Sequence, residues 1–218
     1  MTTTDEALSA DGWIRRFADT ARTTEAQLTA LDQQVGDGDF GTNLSAGTAA
    51  ALARLDALAA PGDAEALEAA ATAFLDEVGG TSGPLFGLLL QSLAAAVAAG
   101  GPTTPALARG AAEGLAAIRR VGEAAPGDKT LVDALAPAVE ALDALPGETP
   151  PVAALDAAAG AAWRGVRDTA RLRARMGRSS YVGERAAGVP DPGAVGVALL
   201  FASAAGVVED LTPYVNAS

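Results

Sequence analysis

The apolar half of this 218-residue chain is built almost without aromatic rings: hydrophobic residues make up 50% of it and aromatics only 4%. A core must therefore be assembled from Ala, Leu and Val, and Ala and Leu head the helix-propensity ranking. Runs such as GTAAALARLDAL read as helix, and few segments carry the alternation and β-branched enrichment of strands. The pattern predicts an all-α fold.

Apolar residues recur at helical spacing in most segments. Trp13, Ile14, Phe17 and Ala21 mark a first helix, and Leu28 and Leu31 a second that ends near an aspartate-rich loop. A third is predicted over residues 42–60. Leu67, Phe74, Leu75 and Val78 define a fourth, stopped by Gly79-Gly80, and a fifth runs from Ser82 or Pro84 to Ala99. Thr104-Pro105 opens a sixth, as an N-cap followed by proline at the first helical position. Leu131, Leu135, Val139 and Leu142 make a seventh. A long helix is predicted over residues 151–176, and Asp191-Pro192 caps a last one ending near Leu211. No long linker or repeat interrupts the series, so residues 1–218 read as a single domain. In an up-and-down array alternate connections lie at the same end. The loops richest in Gly, Asp, Ser and Thr are about two helices apart, which would gather them at one pole.

Two absences narrow the chemistry. Without cysteine there are no disulfides, thiolate metal sites or thiol nucleophiles. Without histidine the commonest general base and the commonest zinc ligand are missing as well. A metal held here is held by oxygen, which points to Mg²⁺, Ca²⁺ or Mn²⁺. A net charge of -12 argues against a nucleic-acid partner. The N-terminus shows no basic region followed by an apolar one, and the two charge-free stretches at 84–100 and 192–208 are shorter than a membrane span needs. They read as core helices, with no membrane involvement and a cytoplasmic location expected.

The stretch LDQQVGDGDFGTN, residues 31–43, places Asp32, Asp37 and Asp39 among three glycines with no cation. Asp37 and Asp39 are two apart, so in extended backbone their carboxylates point the same way. Three hard oxygens in a small space suit Mg²⁺ beside phosphate oxygens; the plainer alternative is a solvated turn in which Asp37 or Asp39 caps the next helix. An EF-hand loop is disfavoured because the closing glutamate has no counterpart at 45–48. GGTSG at 79–83 leads into an apolar helix, and Thr81, Ser82 and free N–H groups there would make an anion site, or simply a cap. PGDKT is not a P-loop; Asp128 and Thr130 are expected to cap the helix that follows, with Lys129 in solvent. Arg164, Arg167, Arg171, Arg175 and Arg178 recur at three or four residues and are expected to line one face of the long helix, by default as a salt-bridged surface.

Together LDQQVGDGDFGTN, GGTSGPLFG, PGDKTLVDAL and GRSSYVGERAAGVPDPGA, in that order along the chain, resemble the nucleotide-binding L subunit of dihydroxyacetone kinase. The resemblance implies a barrel of eight antiparallel helices with ADP or ATP at one end. It implies that Asp32, Asp37 and Asp39 hold two Mg²⁺ ions against the nucleotide phosphates. It places nucleotide contacts at Gly41, Thr42, Asn43, Thr81, Ser82, Gly122, Leu131, Arg178, Asp191, Pro192 and Gly193. The family often has histidine after the last aspartate, where this chain has Phe40. In the family the sugar is held on a histidine of a separate K subunit, so a K subunit is the implied partner, and a phosphotransferase-system phosphocarrier subunit a further one. Two other readings share these residues. One is a kinase of the same fold acting on another ketose such as a tetrulose, or on a carrier-bound acyl group. The other is a non-catalytic nucleotide sensor that docks on a regulator.

Overall fold

A computed structural model describes residues 8–176, 180 and 186–215. Nine helices and no strand occur among them: α1 (Ala10–Val35), α2 (Phe40–Asp56), α3 (Asp63–Glu77), α4 (Ser82–Gly100), α5 (Thr104–Gly122), α6 (Val132–Asp143), α7 (Pro151–Thr169), α8 (Pro192–Ala202) and the short α9 (Thr212–Val215). The first eight run up and down as an antiparallel barrel, each against its neighbour in sequence, and α8 closes the ring on α1. One hydrophobic cluster fills the middle, made mostly of Ala and Leu with Trp13, Phe17, Phe74, Phe86 and Phe201 as its few large members.

Small residues let the helices approach closely. A Cβ on Gly165 of α7 would fall on the carbonyl oxygen of Asp133 and 2.9 Å from the Cα of Ala134 in α6. That carbonyl is exposed to α7 for a reason. Pro137, four residues on, has no N–H to give it, so α6 offers α7 an open backbone acceptor at the crossing. α8 is apolar all round and buried along nearly its whole length, which is the signature of a central helix. α4 is long and apolar enough to span a membrane, but it is packed between α3 and α5 and half of its most apolar window is buried.

Three expected boundaries move. The two helices foreseen at the start are one continuous α1, because its polar middle is absorbed by hydrogen bonds. Buried Thr24 Oγ1 donates to the Thr20 carbonyl at 2.8 Å, and Thr20 Oγ1 receives the N–H of Val208 at 3.0 Å. The long helix stops at Thr169 instead of residue 176, since its last carbonyls are taken by other segments: Lys129 Nζ donates to Thr169 O and Gly188 N–H to Ala170 O. The last long helix ends at Ala202 instead of near Leu211, where Arg16 binds the carbonyls of Ser203 and Ala204 at 2.8 Å each. The arginine stripe breaks with α7. Arg164 and Arg167 lie on the helix, whereas Arg171 and Arg175 follow it in a loop, Arg175 reaching Asp128; Arg178 lies outside the described residues.

Gly165→Ala should lower stability by about 2 kcal/mol in urea unfolding, because overpacking against α6 outweighs the gain of about 1 kcal/mol in helix propensity.

Candidate functional site

Up-and-down topology brings the N-termini of α2, α4, α6 and α8 to one pole, with the C-termini of α1, α3, α5 and α7 between them. A cavity of about 460 Å³ opens there, within the range of small-molecule sites. Its wall holds Asp32, Asp37, Asp39, Asn43, Thr81, Ser82, Gly122, Leu131, Asp191, Pro192 and Gly193, so the four loops foreseen as chemically rich do converge. Gly41 and Thr42 stay off the wall. A Cβ at Gly41 would strike the Glu25 carbonyl and the Thr29 hydroxyl of α1, so that glycine serves the α1–α2 contact, and Thr42 is exposed.

The aspartate loop is shaped by its own side chains. Asp32, on the last turn of α1, is 8% exposed, and its Oδ2 accepts the N–H of Phe40, the first residue of α2, at 3.1 Å. Its Oδ1 occupies the space a Cβ at Gly36 would need. Gly38 has φ +83°, a conformation glycine adopts without penalty. Asp37 Oδ1 accepts the Asp39 N–H at 3.4 Å. Asp39 stands at the N-cap of α2, yet its side chain takes no cap hydrogen bond, so capping does not account for that carboxylate. Asp32, Asp37 and Asp39 share one wall, but among the described residues no three acidic side chains close into a cage. Three carboxylates on one wall leave room for water and other oxygens beside any cation held there. An all-oxygen donor set beside a polar cavity fits Mg²⁺, which keeps water and phosphate ligands.

Across the cavity, Thr81 is the N-cap of α4 and likewise makes no side-chain cap bond, leaving N–H groups at that helix start for a ligand. Leu131 caps α6 without a side-chain acceptor, and Gly193 sits against it; a Cβ there would be 3.4 Å from Leu131 Cβ. Leu85, Ile118 and Leu131 give the wall an apolar stretch. Phe40 also reaches the wall, its ring lying 6.4 Å from that of Phe86.

Lys129 contradicts its expected place in solvent. It is 1% exposed, with φ +62°, and is the one cation among the described residues lining the cavity. Its Nζ donates to the carbonyls of Thr169 and Val189 at 2.6 Å each. Burial pushes its pKa down, while Asp191 and Asp133 pull it back. The expected cap of α6 holds for Thr130, whose Oγ1 receives the N–H of Val132, the first residue of α6, but not for Asp128, which accepts from Ala125 N–H within its own turn; Asp133 accepts from Gly127 and Thr130 N–H. Local sequence could not reveal a buried lysine here, because its acceptors come from residues 40 and 60 positions away. Asp191, 9% exposed, caps α8 through the Ala194 N–H at 2.8 Å. Burial pushes its carboxyl up to about 7, with the Ala194 N–H and Lys129 opposing.

The DAK2 domain model matches residues 34–206. The chain is 36% identical to the "PEP-dependent dihydroxyacetone kinase, ADP-binding subunit DhaL" of Escherichia coli (strain K12), covering 85% of this chain and 89% of that protein. It is 38% identical to the D-erythrulose kinase of Mycolicibacterium smegmatis over 84% of this chain and 32% of that protein. The crystal structure of the dihydroxyacetone kinase from C. freundii in complex with AMP-PNP and Mg²⁺ superimposes with a TM-score of 0.67 at 26% identity, covering 93% of this chain and 35% of that one. The chain thus spans about a third of the latter two proteins.

Asp191 carries a raised pKa in the folded chain, so its contribution to stability is fully present below the ordinary value of 3.8 and is lost as pH rises through about 7. Urea unfolding between pH 5 and 8 should show that decline, with a slope of at most about 1.4 kcal/mol per pH unit from this group. Asp191→Asn keeps the cap and should flatten it.

Proposed function

Because the chain belongs to the DAK2 domain family, we propose that it is the nucleotide-binding subunit of a dihydroxyacetone kinase, a phosphotransferase that passes phosphoryl from a magnesium-bound nucleotide to a sugar held by a separate K subunit. The observation that carries this reading is the mixed charge of the cavity. Four helix N-termini favour an anion, each acting as roughly half a positive charge. Three carboxylates on the same wall repel one. A metal–polyphosphate pair satisfies both, the cation meeting the aspartates and the phosphates meeting the helix ends.

In this reading Asp32, Asp37 and Asp39 grip magnesium, two ions as the resemblance implies. Bound magnesium neutralises charge on the phosphate oxygens as the phosphoryl group moves. The α4 start, with Thr81 and Ser82, takes phosphate oxygens, and Asn43 stands beside it in the wall. The apolar stretch of Leu85, Ile118 and Leu131 suits the flat base, with Gly122 and the turn at Asp191, Pro192 and Gly193 around it. Gly41 and Thr42 then act through the fold of the loop, and Phe40 as part of the floor, which leaves the carboxylate set intact where the family often has histidine.

The chain has no histidine, so it cannot hold a sugar as the histidine adduct of the K subunit, nor serve as a phosphohistidine carrier. The K subunit is therefore an obligate partner. The Escherichia coli relative is named as a PEP-dependent kinase, which supports a phosphotransferase-system phosphocarrier subunit as a second partner, recharging ADP in place. We place the chain in the cytoplasm as one domain over residues 1–218. The similarity to D-erythrulose kinase supports a second reading, a tetrulose acceptor, since acceptor choice would rest with the partner.

Titration calorimetry of the purified chain should show Mg-ADP binding that Asp37→Asn weakens about 100-fold, near 3 kcal/mol. A kinase assay should give no turnover with the chain alone and turnover once the K subunit is added; turnover by the lone chain would overturn the proposal.

A further inference from the structure

Three buried polar residues, Lys129, Thr169 and Asp191, meet in one hydrogen-bonded group at the site pole. Lys129 lies in the loop between α5 and α6, directly before the Leu131 turn that starts α6 at the cavity wall. Its ammonium reaches out of that loop to two carbonyls on separate segments. One belongs to Thr169, the last residue of α7, and the other to Val189, two residues before Asp191. Thr169 holds the same region a second time, since its Oγ1 accepts the Asp191 N–H at 2.8 Å. The Gly188 N–H donates to Ala170 O at 2.9 Å just beyond. Asp191 in turn fixes the first turn of α8 through Ala194. The φ of Lys129, +62°, is one an L side chain seldom adopts, so the loop accepts local strain to send this side chain inward.

An ammonium in this setting is not explained by stability alone. A buried charge is costly unless it is paired, and an apolar residue of similar volume is commonly as stable or more so. What the ammonium supplies and an apolar side chain cannot is a directional link between three backbone segments. Two of them, the Leu131 turn and the Asp191–Gly193 turn, form adjoining parts of the cavity wall, with Gly193 packed on Leu131.

We propose that Lys129 is a positioning residue of the nucleotide site, clamping the end of α7 and the Val189 carbonyl to the α5–α6 loop so that the starts of α6 and α8 keep a fixed spacing around the nucleotide. This rests on the reading of the cavity as a nucleotide site. The clamp acts on affinity through preorganisation: without it the two turns must be ordered when the ligand arrives.

The test compares wild type, Lys129→Met, Thr169→Val and Thr169→Ser as full chains, by hydrogen exchange without ligand and by calorimetry with Mg-ADP. Lys129→Met should speed exchange at the amides of Gly188, Asp191 and Ala194 while leaving the amides of α2 and α4 at wild-type rates. It should weaken Mg-ADP about tenfold, with kcat at saturating nucleotide, in the presence of the K subunit, within about threefold of wild type. Thr169→Val should weaken Mg-ADP about threefold and Thr169→Ser should match wild type, because only the hydroxyl is at issue. Uniformly faster exchange in every helix, or Mg-ADP affinity equal to wild type in Lys129→Met, would overturn the clamp. If Lys129→Met does not fold, Lys129→Gln, which keeps a polar side chain but loses the reach of the ammonium to both carbonyls, decides: Mg-ADP affinity equal to wild type overturns the proposal. Wild-type protein that fails to bind Mg-ADP would instead overturn the nucleotide reading itself, a result distinct from normal wild-type binding that the variants leave unchanged.

Discussion

Alternation of chain direction is the constraint from which the site follows. Eight helices that run up and down must place four N-termini at one pole, and here those ends are the starts of α2, α4, α6 and α8. Each exposes N–H groups without a helical partner and a partial positive charge. At α2, α4 and α6 no side chain of the cap residue takes up a cap bond, whereas at α8 Asp191 does. The topology alone would make this pole an anion trap. The aspartate loop changes its character, because it sets carboxylates among donors that would otherwise suffice for a phosphate. In the proposed reading a divalent cation reconciles the two.

The division of labour between helices and loops is sharp. The helices cohere through close approach of small side chains, as at Gly165 over α6, and through one Ala- and Leu-rich core. Their surface ion pairs add little; the Arg15 and Arg54 pairs are all at least a third exposed, in the range where such bridges contribute roughly 0–1 kcal/mol. The loops at the site pole carry the long-range polar bonds instead. Asp32 ties α1 to the start of α2, Asp133 holds the loop before α6, and Lys129 joins that loop to the end of α7 and the approach to α8.

Much of this was legible in the sequence. Ala and Leu at helical spacing gave the helical class, and the four rich loops stood at alternate connections because the topology puts them there. The misreadings share one cause. The apolar pattern lapses between Ala21 and Leu28, which split α1 into two expected helices, but the hydroxyls of Thr20 and Thr24 find partners and α1 runs on. Arginines beyond Thr169 kept helical spacing, but Lys129 and Gly188 had taken the carbonyls at the end of α7. Lys129 itself looked like a surface residue in a turn. Local pattern reports what a segment can do with its own backbone, and these three places are governed by donors and acceptors from elsewhere in the chain.

Backbone strain points to the same pole as charge. Of the three non-glycine residues with positive φ among the described residues, Glu123 and Lys129 lie in the α5–α6 loop, and Ala60 lies at the other end. Among the described glycines, Gly38, Gly80, Gly127 and Gly188 adopt positive φ in the four loops at that pole, and Gly101 does so at the other. A barrel of helices needs only short connections, as the opposite pole shows at the plain turn before α7. Unusual backbone, a buried ammonium and a buried carboxyl in the same loops cost more than a plain connection between helices would require. They become intelligible if these loops are held in shape for something that enters between them, and the mixed charge of the wall is what the proposed metal-bound nucleotide would meet.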